Sequence, residues 1–174
     1  MEFRRMIGPD LKNGFLETLS ALTDVNLDYE TAVKIFQRRM RDKISTYVAV
    51  DEKGQVLATA TLIFEHKFIH SGGIVGHIED VAVRQNLQGQ GYGRQLVKNL
   101  IEEAERMGCY KVILDCKPEI MPYYEKEGFQ ESQRNMRINL PRCADGVGQG
   151  VVGREGARGI VVEMADKEEA FERR

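Results

Sequence analysis

Apolar positions along the chain change their period several times, and each change marks an element. Residues 4 to 8 read as a short first strand. Pro9 and Asp10 then open a helix that places Leu11, Phe15, Leu19 and Leu22 on one face and ends at Thr23 and Asp24. A second helix spans about Tyr29 to Arg41, with Val33, Phe36 and Met40 inward and Arg38, Arg39 and Arg41 on a solvated outer face. From Thr46 to Val50 the period drops to two, and the turn Asp51-Glu52-Lys53-Gly54 leads into a returning strand, Val56 to Phe64. A loop over Lys67 to Gly76 runs into a central strand, Val75 to Val83. The longest helix covers about Gly91 to Met107. Leu96, Leu100, Ala104 and Met107 form its apolar stripe, and Gly108 is its C-cap. Lys111 to Cys116 carries the run Val112-Ile113-Leu114 and reads as a buried strand. Beyond Pro118, a short helix over about Met121 to Lys126 closes at Gly128, and a last strand pair is expected from about Phe129 to Leu140.

The predicted order is β-α-α-β-β-β-α-β-α-β. It describes an α/β (α+β) domain whose mixed central sheet is flanked by helices. The pattern stops at Pro141. Residues 141–174 hold glycines at 146, 148, 150, 153, 156 and 159, and their one apolar run is Ile160-Val161-Val162. The expectation is a domain over residues 1–140 followed by a flexible, glycine-rich extension over 141–174.

Composition narrows the partners. A chain of 174 residues with 42% hydrophobic and 30% charged side chains suits one soluble globular domain. A net charge of −2 argues against nucleic acid, which calls for a basic field. No apolar run reaches membrane-spanning length, and the first six residues have no signal-peptide core. Cys109, Cys116 and Cys143 lack metal spacing and read as reduced thiols of a cytoplasmic protein. His66 and His70 stand four apart, but without an intervening Glu-x-x and with glycines nearby, so no metal is expected.

The candidate chemistry begins at Gln88-Gly89-Gln90-Gly91-Tyr92-Gly93-Arg94. A strand, a glycine-rich turn and a helix N-terminus in that order make an anion cradle, because backbone N–H groups face outward and the helix dipole adds positive charge. Arg94 stands where a dinucleotide fingerprint needs Gly or Ala, and no Lys-Ser/Thr pair follows to make a P-loop. Taken alone, the segment also admits a turn that binds nothing.

The order of parts resembles the acetyl-CoA site of the GNAT acetyltransferases, whose pattern Gln/Arg-x-x-Gly-x-Gly/Ala is filled by Gln88, Gly91 and Gly93. That resemblance implies the GNAT fold. It also implies acetyl-CoA as co-substrate on the backbone of Gly89, Gln90, Gly91, Tyr92, Gly93 and Arg94. A backbone N–H of Val81, Ala82 or Val83 would stabilise the oxyanion, and Tyr124 would donate the proton to the leaving thiolate.

Four further segments, Ala58 to His70, Gly76 to Val83, Gly108 to Cys116 and Tyr123 to Phe129, look like the glucosamine-6-phosphate N-acetyltransferase family over roughly residues 3 to 140. The implied reaction acetylates the amine of glucosamine 6-phosphate on the way to UDP-N-acetylglucosamine, in a cytoplasmic homodimer with shared active sites. Lys67, His70 and Lys111 have the charge and donors for the phosphate, with Phe68 and Ile69 in the same loop. Tyr110 and the backbone of Glu79, Asp80 and Val81 can hold sugar hydroxyls. Thr23 matches a family substrate contact. Asp115 can orient the amine, and in the family it comes from the partner subunit. The base is left open among Glu79, Asp80 and a water chain. One departure stands out: where the family places a phosphate-binding arginine, alignment gives Asn139, with Arg137 two residues earlier on the same strand face. Either Arg137 substitutes, or phosphate binding is weaker, or the acceptor differs. The alternatives in function are another small amine as acceptor, or a silent CoA-binding domain.

Overall fold

Five strands pair in the order in which the chain makes them. In the computed structural model, which describes residues 1–133 and 135–139, they are β1 (Glu2–Arg5), β2 (Ser45–Val50), β3 (Val56–His66), β4 (Ile74–Val83) and β5 (Cys109–Leu114). The first three junctions are antiparallel and β4–β5 is parallel, so the sheet is mixed as the sequence predicts. The parallel junction needs a crossover. It is supplied by α3 (Tyr92–Arg106), and the remaining helices are α1 (Phe15–Leu19), α2 (Tyr29–Arg41) and α4 (Met121–Glu125).

Alternation in β2 sends Ala49 to one face of the sheet and Val48 and Val50 to the other. On the first face Leu96, Val97, Leu100 and Ala104 of α3 bury against Ala49, Ala58, Ala60, Leu62 and Ile78. On the second, Val48, Val50 and Val56 pack with Met6, Leu11 and Ala32, and with Phe15 and Phe36 beside them. Asp28 starts α2 by accepting the Thr31 N–H at 2.7 Å. Asp10, 1% exposed, is held by a bidentate Arg4 at 2.8 Å and by the Ile7 N–H. These contacts lock β1 to the turn that follows it.

Three expectations are corrected. The first helix is broken: a 3₁₀ turn over Gly8–Leu11 is separated from α1 by Gly14, whose φ of +89° is left-handed and interrupts the helical ladder. β5 is an edge strand rather than a buried one, with Tyr110, Lys111 and Ile113 exposed, because no further strand among the described residues pairs with it. The strand pair expected over Phe129 to Leu140 is absent among the described residues of that stretch. Met136 and Ile138 alternate as a strand should, but alternation supplies no ladder partner, and an unpaired extended segment gains no hydrogen bonds.

The chain divides into two compact units, Met1–Asn135 and Met136–Arg174. In the second, residues 136–139 are exposed and in neither helix nor strand, and the predicted extension over 141–174 lies outside the described residues. Among the described residues no helix is long and apolar enough to cross a membrane.

Candidate active site

β4 outruns its parallel neighbour. The β4–β5 ladder ends at Ile78↔Leu114, while β4 continues to Val83, so among the described residues the edge from Glu79 to Val83 has no partner on the β5 side. Backbone groups of Val81, Ala82 and Val83 that face away from β3 are therefore open to an extended ligand, except the Val83 carbonyl, which accepts from Gln88, and an N–H among them is available to an oxyanion. Within this stretch Asp80 has φ +51°, and Thr61↔Glu79 gives way to Thr59↔Ala82, so Asp80 and Val81 together oppose Ala60. This is a β-bulge, which bends the strand and re-aims its side chains.

The open edge leads into the glycine turn. Gly89 (φ +78°) and Gly91 (φ +87°) are left-handed, and a Cβ on either would meet nothing within 4 Å. Gly91 is the N-cap of α3, and no side chain caps the helix, so its first N–H groups are free for an anion. Gln88 and Gln90 fold back to donate to the carbonyls of Val83 and Asn86, which shapes the loop rather than reaching outward. Tyr92 packs on the core. Gly93 is glycine for a different reason: its Cβ would lie 2.9 Å from Tyr123 Oη and 3.1 Å from Val83 Cγ2. Arg94 in the first helical turn pairs with Glu127.

Through the Gly93 contact, α4 docks on the start of α3 and brings Tyr124 to the site. The Tyr124 ring lies edge-on to Tyr123 at 5.0 Å and to Phe129 at 5.8 Å. Burial raises the Tyr124 phenol above its ordinary value, with a contribution from nearby Cys116, and burial pushes Tyr123 up to about 12. Both phenols are protonated at neutral pH. Tyr124 thus packs, as a neutral phenol, against the same core cluster as Val81 and Val83.

Three carboxylates gather at the bulge. Burial lifts Glu79 above the usual carboxylate range, and the charges of Asp80 and Asp115 add to the shift. Asp115 directly follows the β5 residue paired with Ile78, so it stands beside Glu79 within one chain, and it accepts from Asn135 Nδ2 at 2.5 Å. Such a cluster of like charges draws an ammonium group. The sequence reading missed one participant. Arg39, expected on a solvated face, turns inward to donate to Thr46 Oγ1 at 3.0 Å and Thr61 Oγ1 at 2.7 Å. Burial lowers its pKa, and the attraction of Asp80 opposes that. Arg39, Thr61 and Asp80 also help line a cavity of about 100 Å³ between the sheet and the apolar faces of α1 and α2.

The basic residues lie elsewhere. Lys67 pairs with Glu65, which His77 also reaches at 2.9 Å, and Lys67 and His77 hold the Glu65 carboxyl below its usual range. The His70 ring is 4.9 Å from that of Tyr110, and Lys111 Nζ is 5.6 Å from the same ring. Gly73 makes room for this ring: its Cβ would sit 2.7 Å from Tyr110 Cδ1. Phe68 and Ile69 are exposed at 106% and 65%. This group adjoins Ile74 and Val75, five residues along β4 from the bulge at Asp80, which is roughly 17 Å of strand. Within one chain the two groups are thus held apart. Thr23 is exposed in the bend between α1 and α2, and Arg137 is exposed in the second unit. Among the described residues no three His, Cys, Asp or Glu side chains group to hold a metal ion.

The acetyltransferase (GNAT) family profile matches residues 13–129. A probable glucosamine 6-phosphate N-acetyltransferase of Oryza sativa is 40% identical over 79% of this chain and 87% of its own. The glucosamine 6-phosphate N-acetyltransferase of Trypanosoma brucei is 38% identical over 80% and 96%. The crystal structure of glucosamine-6-phosphate N-acetyltransferase from Arabidopsis thaliana superposes with a TM-score of 0.75 at 33% identity, covering 80% of this chain and 98% of that one.

Proposed function

Because the chain belongs to the acetyltransferase (GNAT) family, we propose that it transfers the acetyl group of acetyl-CoA to the amine of glucosamine 6-phosphate, releasing CoA. The observation that carries this reading is the continuity of the site. An uncapped helix N-terminus fit for a pyrophosphate leads along an unpaired strand edge to a protonated Tyr124 and a carboxylate cluster fit for an ammonium. The names of the relatives from Oryza sativa, Trypanosoma brucei and Arabidopsis thaliana support the sugar phosphate as acceptor.

The residues divide the work as follows. Glu79, Asp80 and Asp115 hold the sugar ammonium, and Glu79, Asp80 or a water beside them takes its proton. The free amine attacks the thioester carbonyl. A backbone N–H of the unpaired β4 edge stabilises the resulting oxyanion. On collapse the C–S bond breaks, and Tyr124 protonates the departing thiolate. The net products are the N-acetyl sugar phosphate, free CoA and one proton.

The enzyme works as a homodimer with shared sites. The open edge of β5 and the exposed Phe68, Ile69, Tyr110 and Ile113 support a second copy at this edge. Pairing across such an edge lets Lys67, His70, Tyr110 and Lys111 of one subunit serve the phosphate of a sugar held at the other's bulge. Arg137 is a further cation for the phosphate, and Thr23 a contact for the sugar. The domain over residues 1–140 carries the reaction, and free thiols at Cys109 and Cys116 suit the cytoplasm.

The test is thiol release from acetyl-CoA with glucosamine 6-phosphate, glucosamine and a panel of small primary amines. The proposal expects kcat/KM to be highest for the phosphorylated sugar by at least about 10-fold, the worth of one charge-assisted phosphate contact. A better unphosphorylated amine would assign another acceptor, and no release with any amine would leave only CoA binding.

A further inference from the structure

Glu127 has no role in the chemistry above, yet it is the most deeply buried acid near the cradle. Its side chain is 2% exposed and lies in the turn that ends α4, where the Glu127 N–H donates to the Tyr124 carbonyl at 2.9 Å. The carboxylate pairs with Nε of Arg94, in the first turn of α3, and that guanidinium is itself 52% exposed. The second oxygen, Oε2, is buried without a hydrogen-bond partner, with Lys98 Nζ 4.0 Å away. A buried carboxylate beside a site for a polyanion is unfavourable on simple electrostatics, so its presence calls for a structural return.

We propose that Glu127 is a positioning residue that couples the phosphate cradle to the catalytic tyrosine. Its carboxylate fixes Arg94 through Nε, so that the outer edge of the guanidinium faces a CoA phosphate. The same ion pair ties the start of α3 to the turn carrying Tyr124, alongside the packing of Tyr123 over Gly93. A phosphate on Arg94 thereby steadies the helix whose hydroxyl protonates the CoA thiolate. The inference rests on the reading of residues 89–94 as the CoA site and is independent of which amine is acetylated.

The sign of one effect separates this from a background charge. Glu127→Gln removes a negative charge next to a polyanion, so electrostatics alone tightens CoA binding. Positioning demands the reverse. Calorimetric titration of CoA into the wild-type full chain, Glu127→Gln, Arg94→Ala and the double variant provides the measurement. Each single variant is expected to bind CoA about 10-fold more weakly, and the double variant no more weakly than either, because the two residues act as one unit. At saturating acetyl-CoA, kcat of Glu127→Gln falls while KM for the amine stays within about twofold. Unchanged or tighter CoA binding by Glu127→Gln, or multiplicative losses in the double variant, would overturn the proposal. If Glu127→Gln does not fold, Arg94→Lys keeps the charge and removes the Nε donor. It is expected to show the same loss of CoA affinity, and wild-type affinity there would equally overturn the proposal. A wild-type protein that binds CoA but acetylates a different amine leaves this test intact.

Discussion

Gly91 and Gly93 sit in one turn, and alanine at each is expected to fail differently. At Gly93 the added methyl meets Tyr123 Oη at 2.9 Å and Val83 Cγ2 at 3.1 Å. The helix itself gains about 0.5–1 kcal/mol from Gly→Ala, whereas overpacking costs about 1–3 kcal/mol. Gly93→Ala should therefore lose about 1 kcal/mol of stability. Tyr123 must give way to relieve the contact, and its ring is edge-on to Tyr124 at 5.0 Å. A displacement near 1 Å at a reacting group can cost about 10²-fold, so kcat should fall about 10- to 100-fold with CoA affinity nearly kept. At Gly91 the methyl meets no protein atom, but the residue has φ +87°, which costs an L-residue about 1–2 kcal/mol, and the methyl stands where a phosphate approaches. Gly91→Ala should weaken CoA binding about 10-fold or more and spare kcat at saturation. Denaturant titration, calorimetry and steady-state rates measure the three quantities. The same split of affinity and kcat in both variants, or a stabilised Gly93→Ala with full kcat, would refute the reasoning that Tyr123 dictates Gly93.

Tyr124→Phe keeps the ring packing and removes the donor, so turnover should drop about 10²-fold with CoA affinity unchanged, and a chemistry-limited rate within twofold of wild type would be inconsistent with proton donation. Burial pushes the Glu103 carboxyl up, but Arg106, Arg5 and Tyr47 donate to it and together hold it below its ordinary value. A depressed folded pKa gives stability that is present above the unfolded value and lost as pH falls through the folded one. Glu103→Gln should thus lose about 1 kcal/mol at neutral pH, and denaturation midpoints should converge with wild type in acid. Because Asp115 stands beside Glu79 within one chain, mixing Asp115→Asn subunits with Tyr124→Phe subunits should restore no activity after proven exchange, and rescue would assign Asp115 to the partner's site.

Much of this was legible in the sequence, where local chemistry and periodicity agree. The bounds of α2 follow from Tyr29 to Arg41 without error because the apolar stripe is backed by an N-cap at Asp28. The glycine turn is a local feature, and Gly89 and Gly91 adopt left-handed conformations that glycine takes readily. Readings failed where the answer depends on distant partners. The run Val112-Ile113-Leu114 has the same composition in an edge strand as in a covered one. Met136 and Ile138 show period two with no ladder to join among the described residues. Helical phase puts Arg39 three residues after Phe36 and seven after Ala32, on the inward stripe, so the charge of the arginine cluster and not its phase suggested a solvated face, and the long side chain reaches the threonines of the sheet. Gly14 fits the apolar spacing around it, so its break in the first helix was invisible. The bulge at Asp80 and the burial of Glu127 arise from tertiary pairing alone, and no residue type announces them.

The central claim is tested most directly by following the acetyl carbon itself. Acetyl-CoA labelled at the carbonyl is incubated with glucosamine 6-phosphate and the full chain, and the products are read by NMR. The account predicts an amide at the sugar nitrogen, formed in a one-to-one ratio with free CoA and faster than with unphosphorylated glucosamine. Release of CoA with the label left as acetate, or an amide formed equally well without the phosphate, would contradict it.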